Sequence, residues 1–278
     1  MATSTLTHHA IAGALGPILV DVRTTSRAAA QPAVLVMHGF KGFKDYAFLS
    51  PIGERLARAG FTAVNLSVSG SGVDEHGEFT QLDRFARNTY SREIGDIEVV
   101  LDALRAGELG SAPPSSIGMI GHSRGGGIAL CVARETPTLA AVVTWAPIST
   151  IRRYSDAEVE LWRKLGRIEV KNARTHQLLP MDYEIVEDAL AHADRFDIRK
   201  AAAVLDRPWL LVHGIDDETV PVAEAQELAG LATDPRFESR FVPGAGHTFG
   251  ARHPWAGPTR ETEQLFDATV RFMSRHLS

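Results

Sequence analysis

The chain has 278 residues, 44% hydrophobic and 23% charged, with a formal net charge of -5 at pH 7 and a pI of about 6.1. That length can bury a large core without a disulfide staple or a structural metal, and mixed, mildly acidic charge offers no basic face for nucleic acid or an anionic membrane. The single cysteine, Cys131, excludes an intrachain disulfide and a cysteine metal cluster.

The first ten residues are polar, carry His8 and His9, and read as a mobile terminus. They lack the basic segment and apolar run of a secretory signal. No apolar stretch approaches the roughly 18 to 20 residues that span a bilayer, so a cytoplasmic protein is expected. Residues 17–23 (PILVDVR) predict a strand, and residues 33–37 (AVLVM) a strand buried on both faces. A helix over 48–59 stops at Gly60, a strand follows at 61–66, then a Ser/Gly-rich loop at 67–77 and one long amphipathic helix over 82–104. Residues 116–120 form the next strand and 126–134 a helix; a strand at 140–145 ends at Ala146-Pro147. Further strands are expected at 209–212 and 237–242, with helices at 222–231 and 259–276. Alternating strands and helices predict an α/β fold, a mostly parallel central sheet covered by helices on both faces. Residues 148–205 break the alternation; they are charged and helical in character and read as a helical lid insertion within one domain spanning 1–278.

The candidate nucleophile is Ser123, in Gly121-His122-Ser123-Arg124-Gly125. The G-x-S-x-G pattern alone is weak, but here it follows an apolar strand and opens a small-residue helix, the setting the motif requires. A serine in so tight a turn needs neighbours without side chains two positions away. The helix N-terminus adds positive potential and free N–H groups. The backbone N–H of Arg124 is the first candidate donor to an oxyanion. The second is the N–H of Phe40, in the glycine loop His38-Gly39-Phe40-Lys41-Gly42 after the AVLVM strand.

A serine hydroxyl needs a general base. Of eleven histidines, His247 is the first choice, because Pro243-Gly244-Ala245-Gly246-His247 directly follows the last strand; His253 is the alternative. The carboxylate that orients the imidazole comes from Asp216-Asp217-Glu218 after the penultimate strand. Asp217 is preferred on spacing from the strand end, with Asp216 as alternative and Glu218 behind it. The chain order Ser123, Asp217, His247 is that expected of α/β hydrolases.

Taken together, His38-Gly39-Phe40, Gly121-His122-Ser123-Arg124-Gly125-Gly126, His213-Gly214-Ile215-Asp216-Asp217-Glu218-Thr219-Val220-Pro221 and Gly244-Ala245-Gly246-His247 resemble the α/β-hydrolase superfamily, in its order and over roughly residues 32–278. Within it the chain looks most like bacterial cinnamoyl and feruloyl esterases, and like the catalytic domains of prolyl-oligopeptidase-type and serine-aminopeptidase-type enzymes. Gly39-Phe40-Lys41-Gly42-Phe43-Lys44-Asp45 strengthens the esterase comparison. Dienelactone hydrolases carry cysteine where Ser123 stands, and haloalkane dehalogenases aspartate. The sequence holds no propeller domain of the large prolyl peptidases, which counts against a peptidase.

The expected reaction is hydrolysis of a small or medium carboxylic ester by acyl transfer, with no metal or organic cofactor and a small-molecule ester as the only partner implied. Tyr154, Trp162, Met181 and Tyr183 of the lid are candidates for an acyl pocket or for the lid's own packing. Arg124 is expected to pair with a nearby carboxylate, with a substrate carboxylate as the alternative. Arg152, Arg153 and Lys164 read as a solvated helical face. An aminopeptidase or amidase would need an acidic amine site, for which Glu158 and Glu160 are the candidates. A non-catalytic small-molecule binding protein on the same fold is the reading from another class.

Overall fold

The computed structural model describes residues 3–277; Met1, Ala2 and Ser278 lie outside the described residues. In chain order the elements are β1 (Thr5–Gly13), β2 (Gly16–Thr24), β3 (Ala33–Met37), α1 (Leu49–Arg58), β4 (Thr62–Ser67), α2 (Leu82–Ala86), α3 (Tyr90–Arg105), β5 (Ile117–His122), α4 (Arg124–Glu135) and β6 (Leu139–Trp145). There follow α5 (Asp156–Leu165), β7 (Arg167–Lys171), β8 (Leu178–Asp182), α6 (Glu184–Ala191), α7 (Ile198–Val204), β9 (Trp209–Gly214), α8 (Val222–Leu231), β10 (Phe237–Val242) and α9 (Arg260–His276). No helix among the described residues is long and apolar enough to cross a membrane.

Eight strands form one sheet in the order β1-β2-β4-β3-β5-β6-β9-β10. The β1–β2 and β2–β4 pairs are antiparallel, and all pairs from β4 to β10 are parallel. Successive side chains point to opposite faces of a strand, so an apolar run feeds two cores at once. In β3, Leu35 and Met37 join the core under α3, α4 and α8, whereas Val34 and Val36 join the core under α1 and α9. Trp209 and Leu211 of β9 split from Leu210 and Val212 in the same way. This double burial is why these strands are short and wholly apolar.

Three expectations are corrected. The segment read as a mobile terminus is β1, paired with β2 from Thr5↔Thr24 to Gly13↔Gly16. His8 lies in it, with Nδ1 2.7 Å from Asp21 Oδ1. None of its residues is fully buried, and the backbone ladder with β2 holds it in place. The helix expected over 82–104 is two helices, because Thr89 leaves the helical region at φ -132° and ψ 166° and its side chain accepts the Arg92 N–H as the cap of α3. The insertion at 148–205 is not wholly helical: β7 and β8 form an antiparallel hairpin in it, with Arg167 opposite Asp182. Its alternating exposed and half-buried residues are the signature of a strand. The hairpin reaches the sheet's loops through Lys41 Nζ, which donates to the Lys171 carbonyl at 3.1 Å, and Gln177 Nε2, which donates to the Phe79 carbonyl at 3.0 Å.

Candidate active site

Ser123 joins β5 to α4 at φ 57° and ψ -120°, a conformation side chains rarely adopt. The surroundings fix it. Its N–H donates to the Trp145 carbonyl at 2.8 Å, and its carbonyl accepts the Gly126 N–H at 2.9 Å. The turn raises the side chain at the carboxyl ends of the parallel strands, where loops from β3, β9 and β10 converge.

His247, in the loop after β10, places Nε2 3.0 Å from Ser123 Oγ and Nδ1 2.8 Å from Asp217 Oδ2. Asp217 is buried, whereas Asp216 and Glu218 are exposed. The other oxygen of Asp217 accepts the N–H groups of Thr219 and Val220, both at 2.9 Å. Burial pushes this carboxyl toward its neutral form, but the His247 hydrogen bond and charge and the two N–H donors outweigh it and hold it below the ordinary carboxylate range. His253 takes no part: its Nδ1 accepts the Ala47 N–H at 3.1 Å and its ring stacks on Tyr46.

The loop after β3 lies against the nucleophile, so closely that a side-chain carbon on Gly39 would sit 2.9 Å from Ser123 Cβ. Among the described residues, the N–H groups of Phe40 and Arg124 donate to no acceptor. His38 shapes this loop. Its Nδ1–H donates to the Gly39 carbonyl at 2.8 Å, and its Nε2 accepts the Val68 N–H at 3.3 Å, which fixes a neutral ring. His122 likewise donates from Nε2 to the His247 carbonyl at 3.1 Å and steadies the base from behind. Sequence reasoning set His38 and His122 aside; their place at strand ends was the available signal.

Burial lowers the His38 pKa from 6.5 to about 4 and the His122 pKa to about 3. Unfolded histidines titrate near 6.5, so the unfolded chain binds more protons as the pH falls. The contribution of each is full above that value and is lost between it and the folded value. At about pH 5 each histidine is expected to have cost on the order of 2 kcal/mol. Burial raises the Glu93 and Asp96 pKa values, which opposes this trend. The measurement is therefore a difference: between about pH 7 and 5, His122→Gln should lose about 2 kcal/mol less unfolding free energy than the wild type. Equal losses would mean that His122 is protonated in the folded protein.

Arg124 is more than nine-tenths buried. Its guanidinium carbon lies 4.1 Å from the Phe40 ring centre and 5.5 Å from that of Tyr90. The carboxylate beside it is Glu93, 3.4 Å away, which in turn accepts Asn88 Nδ2–H at 2.6 Å. Glu93 was missed in the sequence; it sits on the buried stripe of α3 with Tyr90, Ile94 and Ile97, and an acid on an apolar stripe is the sign of a buried partner.

A cavity of about 520 Å³ lies beneath the insertion, lined by Tyr90, Ile151, Tyr154, Trp162, Met181 and Phe196 among others. Ser123 is not in its wall, but Tyr90, which is, packs against the guanidinium of Arg124, the residue after Ser123. Tyr183 is outside the cavity and packs edge-on to Trp162. Arg153 and Arg199 at its rim pair with Glu224 and Glu227, both at 2.6 Å. Lys164 and Glu160 form an exposed pair, and Glu158 closes a capping box with Ser155.

Residues 52–278 match the model of the prolyl oligopeptidase family. The chain belongs to that family. A 214-residue stretch of this prolyl oligopeptidase family member is 26% identical to 2,6-dihydropseudooxynicotine hydrolase from Paenarthrobacter nicotinovorans, covering 74% of the chain and 50% of the relative. The chain thus spans about half the length of that curated relative. Among solved structures it is similar to Est1E from Butyrivibrio proteoclasticus, with a TM-score of 0.67 at 17% identity over 96% of this chain and 98% of that one. It is also similar to dienelactone hydrolase from Anabaena variabilis, with a TM-score of 0.64 at 17% identity over 98% and 99% of the two chains. These likenesses show the α/β-hydrolase fold.

Proposed function

We propose that the protein hydrolyses carboxylic esters by acyl transfer from Ser123. The observation that carries this reading is the continuous hydrogen-bonded line from Ser123 Oγ to His247, 3.0 Å, and from His247 to buried Asp217, 2.8 Å. His247 takes the Ser123 proton as Oγ attacks the ester carbonyl. The Phe40 and Arg124 N–H groups hold the oxyanion; loss of one such donor costs about 3 kcal/mol of barrier. His247 then protonates the leaving alcohol and activates the water that releases the acid. Est1E has also been solved with ferulic acid bound. A similar aromatic acid suits the aromatic and aliphatic cavity wall here.

The family supports peptide or amide hydrolysis as a second reading. The acids that would anchor a substrate amine are otherwise engaged: Glu158 caps α5, and Glu160 pairs with Arg163 and Lys164 in solvent. Esters should therefore be turned over faster than their matching amides. A fluorophosphonate probe is expected to add once to the wild-type protein and not at all to Ser123→Ala, read as intact mass. A folded wild-type protein that takes no adduct would overturn the acyl-transfer reading and favour a binding protein on this fold.

A further inference from the structure

Arg124 stands next to the nucleophile with its charge poorly matched. Its guanidinium donates no hydrogen bond among the described residues, and its closest carboxylate oxygen, on Glu93, is 3.4 Å away and already accepts from Asn88. The arginines of the nearby cavity wall, which Arg124 does not line, are matched at hydrogen-bond distance, Arg153 by Glu224, Arg199 by Glu227 and Arg152 by Asp156. A second cation, Lys41 Nζ, lies 5.3 Å from the centre of the same Phe40 ring that carries Arg124. Arg124 and Lys41 thus share the Phe40 ring, and the one carboxylate within 4 Å of Arg124 among the described residues is Glu93. The Arg124 nitrogens have no protein acceptor at hydrogen-bond distance yet are not sealed from solvent, so a ligand can reach them, and the planar fork fits a carboxylate.

The strand order says which part of a substrate would meet it. Ser123 follows β5; Phe40 follows β3 on one side, and His247 follows β10 on the other. The leaving alcohol must face His247, which protonates it, so the acyl part faces Phe40, Tyr90 and Arg124. Tyr90 also lines the cavity under the insertion, which gives the acyl chain room.

We propose that Arg124 is a specificity-determining residue that receives a second carboxylate on the acyl part of the substrate, so that the preferred substrates are monoesters of dicarboxylic acids. The inference rests on the ester-hydrolase reading. Water adds across the ester C–O bond, the alcohol leaves with a proton from His247, and the free diacid is released with one net proton.

The test compares monoethyl succinate, glutarate and adipate with the neutral ethyl esters in which an isopropyl group replaces the carboxylate, by pH-stat. For at least one chain length the wild type should favour the anionic ester in kcat/KM by about ten- to hundredfold, the range of a charge-assisted contact. Arg124→Met combined with Glu93→Gln, which leaves no unpaired buried charge, should erase that ratio, and Arg124→Lys should keep part of it. Covalent labelling of Ser123 reports whether each variant is folded. A wild type that prefers the neutral ester at every length overturns the proposal without reference to any variant, and so does a folded double variant with an unchanged ratio. Hydrolysis of neutral esters alone would sink this inference and leave the ester hydrolase standing. No turnover of any ester would sink both.

Discussion

Replacing Asp217 with asparagine is expected to lower kcat about ten-thousandfold while leaving the protein folded. The reason lies in what holds each carboxylate oxygen. Oδ1 accepts two backbone N–H groups, from Thr219 and Val220. An asparagine must keep its carbonyl there, because an amide NH₂ cannot accept them. Its NH₂ then faces His247 Nδ1, which has to become an acceptor. The ring proton moves to Nε2, the atom 3.0 Å from Ser123 Oγ, and the base can no longer take the serine proton. Asp216→Asn changes an exposed side chain and should leave turnover near wild type. Steady-state ester hydrolysis, with unfolding curves for both variants, checks this. Comparable losses in the two variants, or an active Asp217→Asn, would remove Asp217 from the mechanism.

The choice among the three acids shows where sequence reading reaches its limit. Spacing from the strand end favours Asp217, but burial distinguishes it from its neighbours, and burial depends on β10 and its loop closing over β9. Ser123 and His247 are 124 positions apart; each is recognisable by its own short motif, and only the parallel order of β5, β6, β9 and β10 brings them to one edge. Strands buried on both faces were legible to the residue, as in Ala33–Met37, because continuous apolar runs have few other uses. The sheet's polar edge was not. In β1 no residue is fully buried and Leu6 faces solvent, so its few apolar residues do not mark a core strand, and pairing with β2 supplies what apolar burial does not. The hairpin of β7 and β8 was hidden in the same way by charged neighbours. The partner of Arg124 was illegible for a different reason. Glu93 is on a helix 31 positions earlier, and no local pattern tells a buried acid on α3 which cation it will meet.

The elbow itself offers the second large effect, and it separates space from backbone freedom. Gly125→Ala and Gly121→Ala are each expected to destabilise the fold by more than about 4 kcal/mol and to abolish labelling of Ser123. Neither glycine adopts a positive φ, so a left-handed backbone is not what they supply. A Cβ on Gly125 would lie 2.2 Å from the His38 carbonyl oxygen, and one on Gly121 would lie 2.1 Å from the Gly125 carbonyl oxygen. Both obstacles are main-chain atoms. One ends β3 and positions the oxyanion loop; the other opens α4 under Ser123. Neither can rotate aside as a side chain would, so relief requires moving a strand end or a helix start. The same substitution elsewhere should act with the opposite sign. Gly95 is inside α3, and a Cβ added there would meet nothing within 4 Å, so Gly95→Ala should stabilise by about 0.5–1 kcal/mol through helix propensity alone. Urea unfolding of the three variants, with fluorophosphonate adduct yield beside it, reads both signs in one series. If Gly125→Ala unfolded at the wild-type midpoint and still took the adduct, the contact between the β3 end and the α4 start would be looser than 2.2 Å implies, and the nucleophile would owe its position to the hydrogen bonds of Ser123 with Trp145 and Gly126 instead.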